Sequence, residues 1–513
     1  MWKKCSRTAI KKWDTVNVLK SPGGFTREED DNVDAAAFSK DDLTWNGAGA
    51  LTIVSQDGNG MTSKDDLVIT GGSYTVTSTG HGLEGKESVR IADGTFSIAS
   101  GKDGIHAEDK DDESLGFLYI AGGTFQITAD GDIMDAATIL QVDGGTVQAS
   151  AGGGSSLADN SGRSEFDFGP ENNETEEETD TASTKGLKAG QRLLIRGGTF
   201  ELDALDDTLH SNGSIGIQDG IFTLSSGDDG VHADESVEIT GGVMDIVTSY
   251  EGIEGRTILV EAGIITLTAS DDGLNAADGE NSGFGPMGEG SADDWIRIQG
   301  GVIHITAEGD GIDSNGDLYV SGGEIRVSGP TNGGNGCLDY AGTAEITGGT
   351  AVLAGHSGME MNFGDTSSQG VILVSTDTVQ EAGSTISVMD EEGTVLLSFE
   401  PDKTYNSVLV SSPEMVTGKT YTITAGEETL EVELTEIVYG SESGMMGGGF
   451  GGHGFGRGDG GGRFSEGMEP PDGESMPEGM EPPDGEGMPE RMSPPDGGGV
   501  PDASAPTDGG NIA

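Results

Sequence analysis

Three doubled acids, Asp206-Asp207, Asp228-Asp229 and Asp271-Asp272, recur along the chain, each with an apolar residue two positions after its second acid. Aligned on those apolar residues, one position reads His81, Asp103, Asp207, Asp229, Glu251, Asp272, Asp310 and Asn335. Stacked as neighbours, so many like charges repel unless a cation lies between them. Calcium suits the donors: it takes six to eight oxygens from carboxylates and carbonyls, and an Asp-Asp-Gly turn offers both. The expected metal ligands are Asp206, Asp207, Asp228, Asp229, Glu251, Asp271, Asp272 and Asp310, with Asp234 nearby. The competing reading is turn chemistry, because Asp-Gly favours tight turns without any ion. Doubled acids favour the ion, since a turn requires one Asp.

The residue after the apolar position forms a second column of Glu84, His106, Lys188, His210, His232, Glu254, Asn275 and Asp313. With side chains alternating along a strand, this column faces outward. His106, Lys188, His210, His232, Glu254, Asn275 and Asp313 are therefore the expected ligand-contacting residues. The histidines either line an outer groove or are solvated, and they lack zinc-finger spacing. Lys188 is the cation of an acidic neighbourhood. It reads either as a salt link to Asp206 or Asp207, or as the base of a calcium-dependent polysaccharide lyase.

Positioning such columns requires a repeat. From about residue 40 the chain cycles through strand, Gly-Gly turn, strand, Asp-Gly turn and short strand, with most uninterrupted steps of twenty-two residues, as from Gly71 to Asp93. Segments such as Thr199–Leu202 and Gly220–Leu224 alternate with period two and are too short for helices. One such coil cannot bury its apolar side alone, whereas stacked coils share a continuous core. The expected fold is all-β, a right-handed parallel β-helix.

The helix is expected over 41–364, after a poorly patterned segment 1–40, with insertions at about 152–184 and 278–293. Over 365–440 the rhythm gives way to segments such as Val371–Val374, Thr394–Leu397 and Ser407–Val410, which predict a β cap over an open strand edge. Residues 441–513 are a Gly, Pro, Met and Glu tract that predicts a disordered tail.

Composition agrees with a solenoid. The 513 residues include 90 Gly but only 5% aromatics, and 26 Lys plus Arg against 90 Asp plus Glu give a net charge of −64. That surface repels phosphate backbones and excludes nucleic acid as a partner. Cys5 and Cys337 offer no disulfide framework, and Cys337 stands where other rungs carry aliphatic residues. No apolar run of seven or more occurs in the first twenty residues, so neither a signal peptide nor a membrane span is read there.

The strings Gly197–Phe200, Asp228–Asp234, Ser249–Gly255 and Ser270–Ala276, with Ser328–Thr331 and Gly336–Tyr340, resemble the bacterial carbohydrate-binding β-helix family over about 40–440. That family is similar in fold to calcium-dependent pectate lyases. The resemblance implies calcium, a cellulose- or pectate-like polysaccharide partner, binding without cleavage, and an extracellular or cell-surface place. Two alternatives stay open: a polysaccharide lyase using Lys188, and a surface adhesin or spacer that calcium merely rigidifies. Sugar platforms usually need exposed aromatics, for which Tyr250, Tyr340 and Trp295 are the candidates.

Overall fold

Residues 16–21, 33–159, 183–277, 291 and 293–440 are described by a computed structural model. Each rung has three strands, illustrated by Leu209–Ser211, Ser214–Ile217 and Ile221–Ser226. Each strand pairs in parallel with its counterpart one rung away, as Leu209 does with Val231, Ile215 with Val237 and Phe222 with Met244. Three parallel sheets thus run the length of a β-helix, and the expected all-β solenoid is what the chain forms.

The long strand shows why the sequence closes this way. In Thr95–Ser100 every second side chain is buried and the others are exposed. Phe96 stacks on Tyr74 at 5.2 Å and on Phe125 at 4.8 Å, and Phe200 stacks on Phe222 at 4.9 Å. These distances match the spacing of paired strands, so identical residues one rung apart meet face to face. The turn before each long strand holds a left-handed residue. At Gly220 φ is 140°, and a Cβ there would lie 2.8 Å from the ring of Phe222. Only glycine combines that φ with a core ring packed underneath.

The helix begins earlier than its periodicity suggests. Val16–Ser21 pairs with Ala50–Ser55, Ala35–Ser39 with Asn59–Ser63, and Leu43–Trp45 with Asp66–Ile69, all in parallel. The first rung therefore starts at Val16, ahead of the expected start at 41, and ends with Leu43–Trp45. Its strands carry Ala, Asn and Lys, so its pattern does not stand out, yet backbone pairing needs no particular side chain. At the other end, Tyr405–Ser411 runs antiparallel to both Ala344–Gly355 and Val371–Gln380 and covers the last rung. A separate antiparallel sheet is built from Ile386–Met389, Val395–Phe399, Thr420–Ala425 and Glu428–Glu433. Cys337 packs against the core as expected, its thiol pushed up to about 12 by burial. The expected tail 441–513, most of both insertions (160–182 and 278–290) and Cys5 lie outside the described residues. Among the described residues no helix is long and apolar enough to cross a membrane.

Candidate functional site

The turn between the long and short strands carries the acidic column, and its first role is structural. In six of the described rungs one carboxylate oxygen accepts the backbone N–H of the next: Asp103 from Asp132 at 2.9 Å, Asp132 from Lys185 at 2.7 Å, and Asp207 from Asp229 at 3.0 Å. The ladder continues with Asp229 accepting from Glu251 at 3.1 Å, Asp272 from Asp310 at 2.6 Å, and Asp310 from Gly336. Asp suits this position because its short side chain spans one rung and ties up a buried donor. The second oxygen remains for other chemistry.

In the short strand, Leu83, Ile105, Leu209, Val231, Ile253, Leu274 and Ile312 point into the core as expected. The outward neighbours form one continuous column, Glu84, His106, Asp135, Lys188, His210, His232, Glu254, Asn275 and Asp313. Asp135 was missed by the repeat. The step from Ile105 to Met134 spans 134 − 105 = 29 residues rather than twenty-two, because a loop near 108–116 lengthens that rung.

The two columns meet differently along the helix. In the first half, acids face bases. His81 and His106 stack at 4.4 Å, with their Nδ1 atoms 2.9 Å and 3.2 Å from Asp103 Oδ2. Lys188 reaches Asp132 at 3.1 Å and Asp135 at 3.8 Å on the preceding rung, which corrects its expected link to Asp206 or Asp207. Lys185 takes that place, at 2.8 Å and 2.7 Å from those two carboxylates. Of the doubled acids, Asp206-Asp207 is therefore already neutralised in part. His210 and His232 hydrogen-bond Asp207 and Asp229 at 2.8 Å and 3.0 Å, and His232 also lies 2.7 Å from Glu254. Burial lowers the His232 pKa, but its bonds to Asp229 and Glu254 outweigh this and raise it to about 11.

In the second half, acids face acids. Asp229, Glu251 and Glu254 form one trio and Asp272, Asp310 and Asp313 another, with ligand atoms inside each trio lying within 4.8 Å of one another. Burial first, then the neighbouring carboxylates, pushes Glu251 and Asp272 well above the usual carboxylate range. Asp229 is also raised, by burial and then by Asp207, Asp228 and Glu254, against its bond from His232. Between the trios sits Asn275, 8% exposed, whose Nδ2 donates to Glu251 at 2.9 Å. Its Oδ1 is buried without a hydrogen bond. Asp206, Asp207 and Asp228 make a further trio, the one that includes the carboxylates held by Lys185. Asp271 and Asp234 are in none of these three trios; Asp234 is exposed, 3.3 Å from His232 Nε2.

A different surface holds the aromatics. On the sheet of four-residue strands, Phe117, Tyr119, Ile139, Gln141, Asp143 and Arg196 line a cleft of about 460 Å³. Asp143 accepts from Tyr119 at 2.7 Å and from Gln141 at 2.7 Å, while Arg90 lies over Phe117. An apolar ring edge beside planar polar groups is what a pyranose requires. Of the aromatics expected to meet sugar, Trp295 lies on this same sheet under Arg297, 4.1 Å from its ring. Tyr340 instead donates to the Asn362 carbonyl at 2.7 Å.

Residues 2–230 and 228–449 each match the family described as carbohydrate-binding domain-containing protein, and the chain belongs to that family. No curated protein and no solved structure matches it. Carbohydrate binding is thus the class of function that the family indicates.

Proposed function

We propose that the chain is a calcium-dependent, non-catalytic binder of cell-wall polysaccharide, pectate-like or cellulosic, working outside the cell or at its surface. The observation that supports this most is the pair of buried carboxylate trios flanking Asn275. Oxygen-only donors suit a hard cation, and the unpartnered Asn275 Oδ1 is an oxygen ligand with no other use. Asp229, Glu251 and Glu254 would hold one ion; Asp272, Asp310 and Asp313, with Asn275, would hold another. Three or four side chains do not fill six to eight positions, which leaves room for sugar carboxylate or hydroxyl oxygens. For a chain of net charge −64, cation bridging also removes the repulsion a polyuronate would otherwise meet.

The lyase reading asks Lys188 to be a free amine. Burial favours that, but the Asp132 and Asp135 carboxylates outweigh burial and raise its pKa. The ion pair therefore argues for a structural cation.

The test is retention of the protein on polygalacturonate and on cellulose, with calcium and then with EDTA, while absorbance from unsaturated product is recorded. Calcium-dependent retention without absorbance supports the proposal. Retention unchanged by EDTA sinks the bridging idea. Rising absorbance that Lys188→Ala abolishes makes the protein a lyase, and loss of stability in EDTA with no glycan bound in either condition makes it a spacer.

A further inference from the structure

We infer that His81, Asp103, His106 and Asp135 form a separate site for a borderline divalent metal of the zinc class, at the opposite end of the column from the carboxylate trios. These four residues belong to three successive rungs, joined where His106 pairs with Asp135 on one side and with Glu84 on the other. The donor set is two imidazoles and two carboxylates. Imidazole nitrogen selects zinc, cobalt, nickel or copper over calcium, whereas the oxygen-only trios select the reverse.

Converging donor atoms carry the inference. The Nδ1 atoms of His81 and His106 are both buried and meet on the same Asp103 Oδ2, 2.9 Å and 3.2 Å away, the three donor atoms lying within 4.8 Å of one another. Asp135 Oδ2 lies 3.1 Å from the same Nδ1 of His106. Donor atoms at about 2.0–2.1 Å from a tetrahedral zinc stand about 3.3 Å apart, and the three contacts above, 2.9, 3.2 and 3.1 Å, lie near that spacing. Asp103 can give Oδ2 to a metal because Oδ1 is already occupied by the Asp132 N–H.

The second histidine stack supplies a contrast. His210 and His232 also lie face to face, at 5.2 Å, but each Nδ1 bonds its own rung's carboxylate, Asp207 or Asp229, instead of both converging on one oxygen, and Lys185 sits on Asp207. Geometry therefore distinguishes two stacks that look alike in sequence. The first stack is also reachable: His106 and Asp135 line a cleft of about 580 Å³ between the short strand and the loop after it.

The experiment is titration of untagged, chelator-stripped full chain with Co²⁺ and Zn²⁺, followed by calorimetry and by the visible absorption of tetrahedral cobalt. One equivalent of cobalt giving that absorption, displaced by Zn²⁺ and not by excess Ca²⁺, is the expected result. His106→Gln and, separately, His81→Asn should abolish the absorption and weaken binding by more than about tenfold, the range that even outer-shell changes reach. Circular dichroism confirms that each variant is folded. The double variant His210→Asn/His232→Asn should bind as the wild type does, and so should Asp313→Asn, which separates this site from the calcium proposal. No stoichiometric binding by the wild type, or a signal that follows His232 rather than His106, overturns the inference and leaves the four residues as an ion-paired cluster.

Discussion

Asp313→Asn should reverse its effect on stability with calcium. Asp313 lies in the outward column, whereas the carboxylate-to-backbone bonds at this end of the ladder run from Asp272 and Asp310, so the substitution leaves those acceptors in place. Its carboxylate is within 4.8 Å of those of Asp272 and Asp310. Two unit charges at that separation repel by about 3.5 kcal/mol at an effective dielectric of about 20. Asp272 is pushed up by burial and then by Asp313, the direction such repulsion gives, and solvent at half-buried Asp313 screens part of it. About 2 kcal/mol of repulsion should remain for the variant to remove from the metal-free protein. In EDTA its thermal midpoint should therefore lie a few degrees above that of the wild type. Calcium at a hundred times its dissociation constant stabilises the wild type by about 2.7 kcal/mol, a gain the variant should largely lose. Measured by scanning fluorimetry, the two midpoints should cross between EDTA and calcium. A variant less stable in both conditions, by the same amount, would refute the reasoning and make Asp313 an ordinary structural acid.

Other outcomes follow from the same geometry. Burial and then neighbouring acids raise the pKa of Glu251 and Asp272, so calcium binding should be coupled to proton release and weaken as pH falls; calorimetry in buffers of different ionisation heat counts the protons. Asp132 has its pKa raised to about 6, by burial and then by Asp135 and Asp103 against Lys188. A raised carboxyl favours the fold below its unfolded pKa near 4, and that contribution, about 3 kcal/mol, is lost as pH rises through about 6. In chelator, Asp132→Asn should flatten this part of the stability-versus-pH curve. Tyr119→Ala should weaken glycan retention with little change in calcium binding, because its ring is on the other sheet. Phe96→Ala removes the middle ring of a buried stack and should cost about 3–5 kcal/mol in denaturant unfolding.

The core was legible because its constraint is local and periodic. Glycine at the turn before Phe222 and an aliphatic residue after each Asp-Gly turn recur at fixed spacing, and the structure puts them where the spacing does. The site was legible only in outline. Asp132 and Asp135 escaped because an elongated loop shifts them out of phase, although Asp132-Ile133-Met134-Asp135 repeats the turn acid, core residue and outward residue of other rungs. Lys185 escaped for another reason. Its position in the turn column is normally acidic, and sequence alone does not say that its amine reaches back to the following rung's acids. The aromatic cleft was invisible because Tyr119, Gln141 and Asp143 are ordinary surface residues until parallel pairing sets them side by side.

Turn acid and metal ligand, posed as rival explanations for the doubled acids, are compatible because a carboxylate has two oxygens. The ladder uses Oδ1 of Asp103, Asp207 and Asp229, whose outward neighbours are histidines, and Oδ1 of Asp132 and Asp310, whose outward neighbours are acids, to hold the next rung's backbone. What the other oxygen does then depends on the outward column. Beside His106 it faces nitrogen donors, beside His210 it closes an ion pair, and at Asp272 and Asp310, beside Asn275 and Asp313, it joins a cluster of carboxylates. On the proposed readings the fold keeps a recurrent half of the site at most rungs, and a single outward residue per rung changes its chemistry without disturbing the turn. Those readings would give one edge of a repetitive helix different cation preferences along its length, and repeat periodicity, which sees only the recurrent half, does not distinguish them.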